Sequence, residues 1–183
     1  MMVGRLLDTQ AFPFRQAGLD VIERLPDRIR VDGEPHPIDL SFRVQRMLLG
    51  RIRQLQADVD VPASDGPGQP CSLRLVVTAS RERRYRWTTS ARDLTDLCAA
   101  LRGPAVDALA RTIDLTSFTV TWCPRATHWR LRVEPYAASH LRVYFPPVNY
   151  STTLHPPEAS TIAAALREAA GTLSTSVVRP ARR

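Results

Sequence analysis

The sequence predicts an α+β fold: a twisted antiparallel sheet in the order β-β-α-β-β-β-α, with helices packed on one face and an N-terminal helical segment ahead of it. Three observations lead there. Strict two-residue alternation recurs after residue 70, as in "WRLRVE" (129–134), where Trp129, Leu131 and Val133 share one side and Arg130, Arg132 and Glu134 the other. Helical periodicity, bounded by proline or glycine, fills the segments between and after these strands. The stretch "PASDGPGQP" (62–70) holds three prolines and two glycines, which sustain neither helix nor strand.

That break divides the chain into an N-terminal helical segment (1–61), a Pro/Gly linker (62–70), an α+β domain (71–174) and a tail (175–183) expected to fray. With 183 residues, 44% of them apolar and 23% charged, the chain is of ordinary globular composition and long enough for a core. No apolar run approaches the length of a membrane-spanning helix. The start "MMVGRLLDTQAFPF" lacks the apolar length and the small-residue cleavage site of a signal peptide. Three cysteines without framework spacing fit a reducing, cytoplasmic setting.

Taken in order, "QAGLDVIERL" (16–25) reads as a short helix and "RIRVDGEPHPI" (28–38) as a strand or turn around Asp32-Gly33. Residues 37–59 read as a long helix capped by Asp39 or Ser41, because Val44, Leu48, Ile52 and Leu55 recur at helical spacing. Beyond the linker, "SLRLVVTA" and "RYRWTT" are strands joined by the turn "SRERR". Ser90 and Asp93 suggest a capping box ahead of Leu94, Leu97, Cys98 and Leu101. Gly103-Pro104 ends that helix and opens another with Val106, Leu109 and Ile113. "SFTVTW" and two further strands follow, the last with Leu141, Val143 and Phe145 inward, and their short links imply a meander. "PPEASTIAAALREAAG" closes the domain as a helix, with Gly171 expected just past its end.

The basic residues are all arginine, 25 of them, which reads as the imprint of a GC-rich genome as much as a functional signal. Their placement is more informative: residues 1–61 carry nine arginines and nine acids, whereas residues 71–183 carry sixteen against eight. Alternation assigns Arg74, Arg84, Arg86, Arg130, Arg132 and Arg142 to one face of the sheet, with Tyr144 beside them and Arg81 and Arg83 at the hairpin turn. A basic sheet face can bind nucleic acid through phosphates. Stacking is thin, however, because Trp87, Trp122, Trp129 and Phe145 are all assigned inward. The alternative is a solvated face or one covered by a partner.

Little in the sequence proposes catalysis. Cys123 and His128, with His140 on the next connection, could bring a thiol and imidazoles together, but no orienting carboxylate or second metal-ligand pair accompanies them. Glycine-rich phosphate loops and Gly-x-Ser-x-Gly are absent. Cys98 belongs to an apolar stripe, Cys71 to a strand start, His36 to a turn and His155 to a helix start. The expected function is therefore that of a non-enzymatic cytoplasmic binding or adaptor protein, without cofactor, metal or membrane attachment. Its expected partner is another protein or a second copy of itself. A nucleic-acid binder using Arg74, Arg84, Arg86, Arg130, Arg132, Arg142 and Tyr144 competes with this reading, and an enzyme of unidentified chemistry is the third.

Overall fold

Alternating apolar side chains bind ten strands into one mostly antiparallel sheet, and four helices pack against one face of it. The computed structural model describes residues 2–64, 66–78 and 83–176. The elements are α1 (Met2–Gln16), β1 (Val21–Arg24), β2 (Arg28–Val31), β3 (Ile38–Met47), β4 (Gly50–Pro62), β5 (Ser72–Thr78) and β6 (Arg84–Thr89), then α2 (Thr95–Ala100), α3 (Pro104–Thr112), β7 (Leu115–Cys123), β8 (His128–Pro135), β9 (Ser139–Tyr144), β10 (Pro147–Ser151) and α4 (Pro156–Thr175). The sheet runs β1-β2-β3-β4-β8-β7-β5-β6, with β9 also paired to β4 and β10 to β9.

The register explains the core. Leu40 lies opposite Ala57, Ala57 opposite Val133, and Val133 opposite Phe118, so these side chains share one face. Val120, Leu73, Leu75 and Trp87 continue it, and all are buried. α1 covers β2 and β3, α4 covers β4 and β8, and α2 and α3 lie against β6. Burying each large apolar side chain contributes about 1.5–3 kcal/mol. Helix ends are secured locally. Gly18, at φ 87°, terminates α1, with Leu19 N–H donating to the Phe14 carbonyl and Gly18 N–H to the Arg15 carbonyl. α3 has no capping side chain of its own, and Glu168 of α4 accepts from the N–H groups of Ala105 and Val106 at 2.9 and 3.0 Å instead.

Several expectations are corrected. Residues 37–59 are not a helix but the β3–β4 hairpin, turning at Met47–Gly50. Leu55, Ala57, Val59 and Val61 alternate with Gln54, Gln56, Asp58 and Asp60, and this period of two prevails because β4 pairs along its whole length with β3, β8 and β9. Residues 16–25 are not a helix either, since the chain leaves α1 at Gly18 and enters β1. The Ser90–Asp93 capping box does not form. A 3₁₀ turn, Arg92–Leu94, precedes α2, and Thr89 Oγ1 accepts from Ala91 N–H. Gly171 lies inside α4, where buried Leu173 continues the apolar stripe for another turn. The expected meander is absent: β8 and β9 do not pair with each other but lie end to end along β4. β10 is an additional strand. Residues 79–82 of the β5–β6 turn, Arg81 included, and the tail from residue 177 lie outside the described residues.

One consequence of this topology positions the candidate site. The helices cover the sheet as far as Leu40 and Leu55, both fully buried; beyond them β3 and β4 run on as a hairpin, flanked by the β9–β10 hairpin. Together the two hairpins form an arm. Tyr144 N–H donates to the Leu49 carbonyl at 2.8 Å, which ties the two turns together. Gly50 permits the close approach, because a side chain there would overlap the Arg142 carbonyl oxygen.

Candidate functional site

The open face of the sheet, away from the helices, carries most of the expected arginines. Arg74 pairs with Thr119, Thr119 with Arg132, and Arg132 with Asp58, while Arg84 and Arg86 share that side on β6. At the centre their charge is cancelled. Arg130 grips Asp60 through two hydrogen bonds of 2.8 and 3.0 Å, and Arg132 grips Asp58 at 2.8 and 2.7 Å. Arg30 and Asp39 repeat the arrangement at 2.8 and 3.1 Å. Burial would raise the Asp60 carboxyl, but the Arg130 hydrogen bond and charge hold it below its usual value. Arg83 is tied to Asp114. Arg74 and Arg86 remain exposed at one end of this face.

Arg142 and Tyr144 do not join them; they lie on the opposite face. Val133 stands opposite Ala57 and Ser139 opposite Gln54, so three residues of β4 face a segment that advances six. Three residues bulge from the ladder, with Ala138 at φ 63°, and an odd number reverses which side each later residue takes. Leu141 and Val143 therefore take the outer side, and Phe145, at the β9–β10 turn, is 77% exposed rather than inward.

The reversal brings together arginines that sequence spacing keeps apart. Arg46, Arg51 and Arg142 are direct neighbours across β3, β4 and β9, and Val44, Arg53 and His140 form the next row. All point to the core side of the sheet, past the last helix. Val44, Arg46, Arg51 and Arg53, with Asp27, Phe42 and Tyr144, line a groove of about 940 Å³ there. Residues 42–56 and 139–151 hold five arginines and no acid. Among the described residues, Arg46, Arg51, Arg53 and Arg142 form no ion pair with a carboxylate. The Arg142 guanidinium lies 5.6 Å from the centre of the Tyr144 ring. Arg53 is only 4% exposed, and its Nε and Nη1 are buried without a hydrogen-bond partner, as is Nε of Arg51. Burial, and then the charge of Arg51, push the Arg53 guanidinium below its usual value.

Sequence reasoning put Arg46 and Arg53 on the polar side of the expected helix over 37–59 and did not bring them together with Arg51 and Arg142. The signal available was the pair of alternating runs either side of "LLG", which places these residues on one face once the segment is read as a hairpin. At the end of the arm Leu48 is 97% exposed, with Met47, Leu49 and Phe145 also exposed around it. The groove thus has an apolar rim.

His140 gives the groove a pH signature. Burial, then Arg53, Arg51 and Arg142, lower its imidazole from the ordinary value. The unfolded chain therefore binds this proton more readily, and the stability present above about pH 6.5 is lost as pH falls through the lower folded value. Urea denaturation at pH 5 to 7.5 should show stability falling toward acid, and His140→Gln should flatten that part of the profile.

The thiol–imidazole grouping is not assembled. Cys123 and His128 are cross-strand neighbours, but His128 Nε2 lies 3.3 Å from Asp60 Oδ1, a carboxylate already held by Arg130, and His140 sits on the arm. Burial raises the Cys71 and Cys98 thiols, which disfavours thiolate at neutral pH. No group of three or more potential metal ligands occurs among the described residues. No helix among them is long and apolar enough to cross a membrane.

Neither the curated proteins nor the solved structures contain a match to the chain. The model of one family, described as "Protein of unknown function (DUF3156)", matches residues 13–173, a span that runs from α1 to α4 and takes in the whole arm. The chain belongs to the DUF3156 family.

Proposed function

We propose that the protein is a non-enzymatic binding protein of the cytoplasm whose working surface is the two-hairpin arm, and that it holds an acidic, partly apolar segment of a protein partner. The observation that carries this reading is Arg53, buried with two unpartnered donors in a groove that holds two further arginines, Arg46 and Arg51, with Arg142 the cross-strand neighbour of Arg51. Leaving such donors unmade costs free energy, which a bound anion would recover. The rim favours a protein over a nucleic acid. Met47, Leu48, Leu49 and Phe145 offer aliphatic and aromatic contact that phosphates do not use, and the groove face presents one tyrosine for stacking. A second copy is disfavoured as the occupant, because two arms with five arginines each repel one another.

The test is a titration with two probes across a salt series: a peptide interleaving glutamate with leucine and phenylalanine, and a single-stranded oligonucleotide. The peptide should bind, and Leu48→Ser and Arg51→Glu should each weaken it about tenfold or more. The oligonucleotide should bind no more tightly than net charge dictates. Tighter oligonucleotide binding that Arg74→Glu weakens and Arg51→Glu does not would transfer the function to the outer face. A failure of the peptide to bind would remove the reading.

A further inference from the structure

We infer that Arg46, Arg51 and Arg142, with Arg53 behind them, form a seat for a phosphate monoester carried by the partner, that is, for a phosphorylated side chain. The inference rests on the reading of the arm as a partner-binding surface and adds the chemical identity of the group at its centre.

On the open face, Arg30 and Arg132 stand in one row and Arg130 in the next, and each has its own carboxylate gripped through two hydrogen bonds. On the core-side face of the arm, three arginines stand in one row across three neighbouring strands with a fourth in the next, and among the described residues no carboxylate pairs with any of them. Directly opposed side chains on one face have Cβ atoms about 4.5–5.5 Å apart, and like charges so placed repel. Their forks therefore span a patch on the order of 10 Å across. The chain tolerates here a repulsion that it neutralises everywhere else along the same strands.

The stoichiometry then selects among anions. A single carboxylate offers one negative charge and two oxygens, enough for one guanidinium fork. A phosphodiester of a nucleic-acid backbone also carries one negative charge per phosphorus. A phosphate monoester carries about −1.5 to −2 and three acceptor oxygens, so it can accept from several forks together. Arginine's planar fork suits that geometry better than a point charge would. Asp27 is the one acid among the groove-lining residues, which leaves the net charge strongly positive. Tyr144, beside Arg142, walls the mouth of the groove. A volume of about 940 Å³ accommodates the phosphorylated side chain with its neighbours.

Three versions of one acidic, apolar peptide test this by calorimetry: with phosphoserine, glutamate or serine at the central position, alongside inorganic phosphate alone. The phosphoserine peptide should bind at least about tenfold more tightly than the glutamate peptide, with the serine peptide weakest. Arg53→Met and, separately, the more accessible Arg142→Met should weaken the phosphoserine peptide by a larger factor than the glutamate peptide and so erase the phosphoserine advantage. Equal binding of the phosphoserine and glutamate peptides overturns the seat and leaves the partner-binding reading standing. Failure of all three peptides removes both. Inorganic phosphate binding as tightly as the phosphopeptide overturns the assignment to a partner's side chain, since the anion would then be a free one.

Discussion

Trp129→Ala is expected to lower the unfolding free energy by about 3–5 kcal/mol, the range for removing a large aromatic from a packed core. Trp129 is 1% exposed and is the second residue of β8, opposite Val61 on one side and Trp122 on the other. The two indole rings lie 5.2 Å apart at 52°, so truncation removes a ring contact as well as apolar burial. The site cannot collapse easily, because the chain after β4 packs on the same cluster: a side chain at Gly66 would run into the Trp122 ring. In thermal denaturation the midpoint should fall by roughly 6–20 °C, taking about 2–4 °C per kcal/mol for a chain of this size. Trp129 pairs with the Val61 end of β4 and the arm with the Gly50 end, so below the new midpoint the acidic peptide should still bind normally. A loss under 1 kcal/mol would mean that this cluster is not part of the cooperative core.

Strands with one buried and one wet face are readable from sequence because burial imposes a period of two, and β5, β6, β7 and β8 carry it over most of their length. The same period is present in "QLQADVDV", but the preceding "FRVQRMLLGRIR" also satisfies a helical period, and local pattern alone does not arbitrate between them. What decides is non-local. β4 pairs with β3 on one side and with β9 and then β8 on the other, and Leu48, counted in the helical stripe, is the most exposed apolar residue of the arm. The reversal between β8 and β9 was equally hidden. It depends on a three-residue bulge through "YAA", where a non-glycine residue takes positive φ and none of the three is a turn-forming type. Thus Arg142 and Tyr144 are legible as surface residues, while their grouping with Arg46, Arg51 and Arg53 is not. Arg130 and Arg132 are legible as outward-facing, but their neutralisation depends on β4 delivering Asp58 and Asp60 into the same rows.

The sharpest test of the groove is a substitution that should stabilise the protein. Arg53→Met keeps the length and apolar stem of the side chain and removes a buried charge with two unpartnered donors. Each such donor costs about 1–3 kcal/mol when left unmade, and replacing buried charge by well-packed apolar volume is often favourable by about 1–4 kcal/mol. Arg53→Met should therefore raise stability by about 1–3 kcal/mol while abolishing the preference for the phosphorylated peptide, the pattern of a residue kept for binding at the expense of folding. Arg132→Met supplies the opposite sign within the same sheet. There the arginine has a partner, and removing it strands Asp58, whose side chain is 17% exposed; the loss is held to about 1 kcal/mol because Arg132 is itself 34% exposed and screened by solvent. Urea denaturation of the two variants reads both signs directly. If Arg53→Met destabilises as Arg132→Met does, Arg53 has a structural partner within the protein, and the groove loses the feature that marks it as a site for an anion.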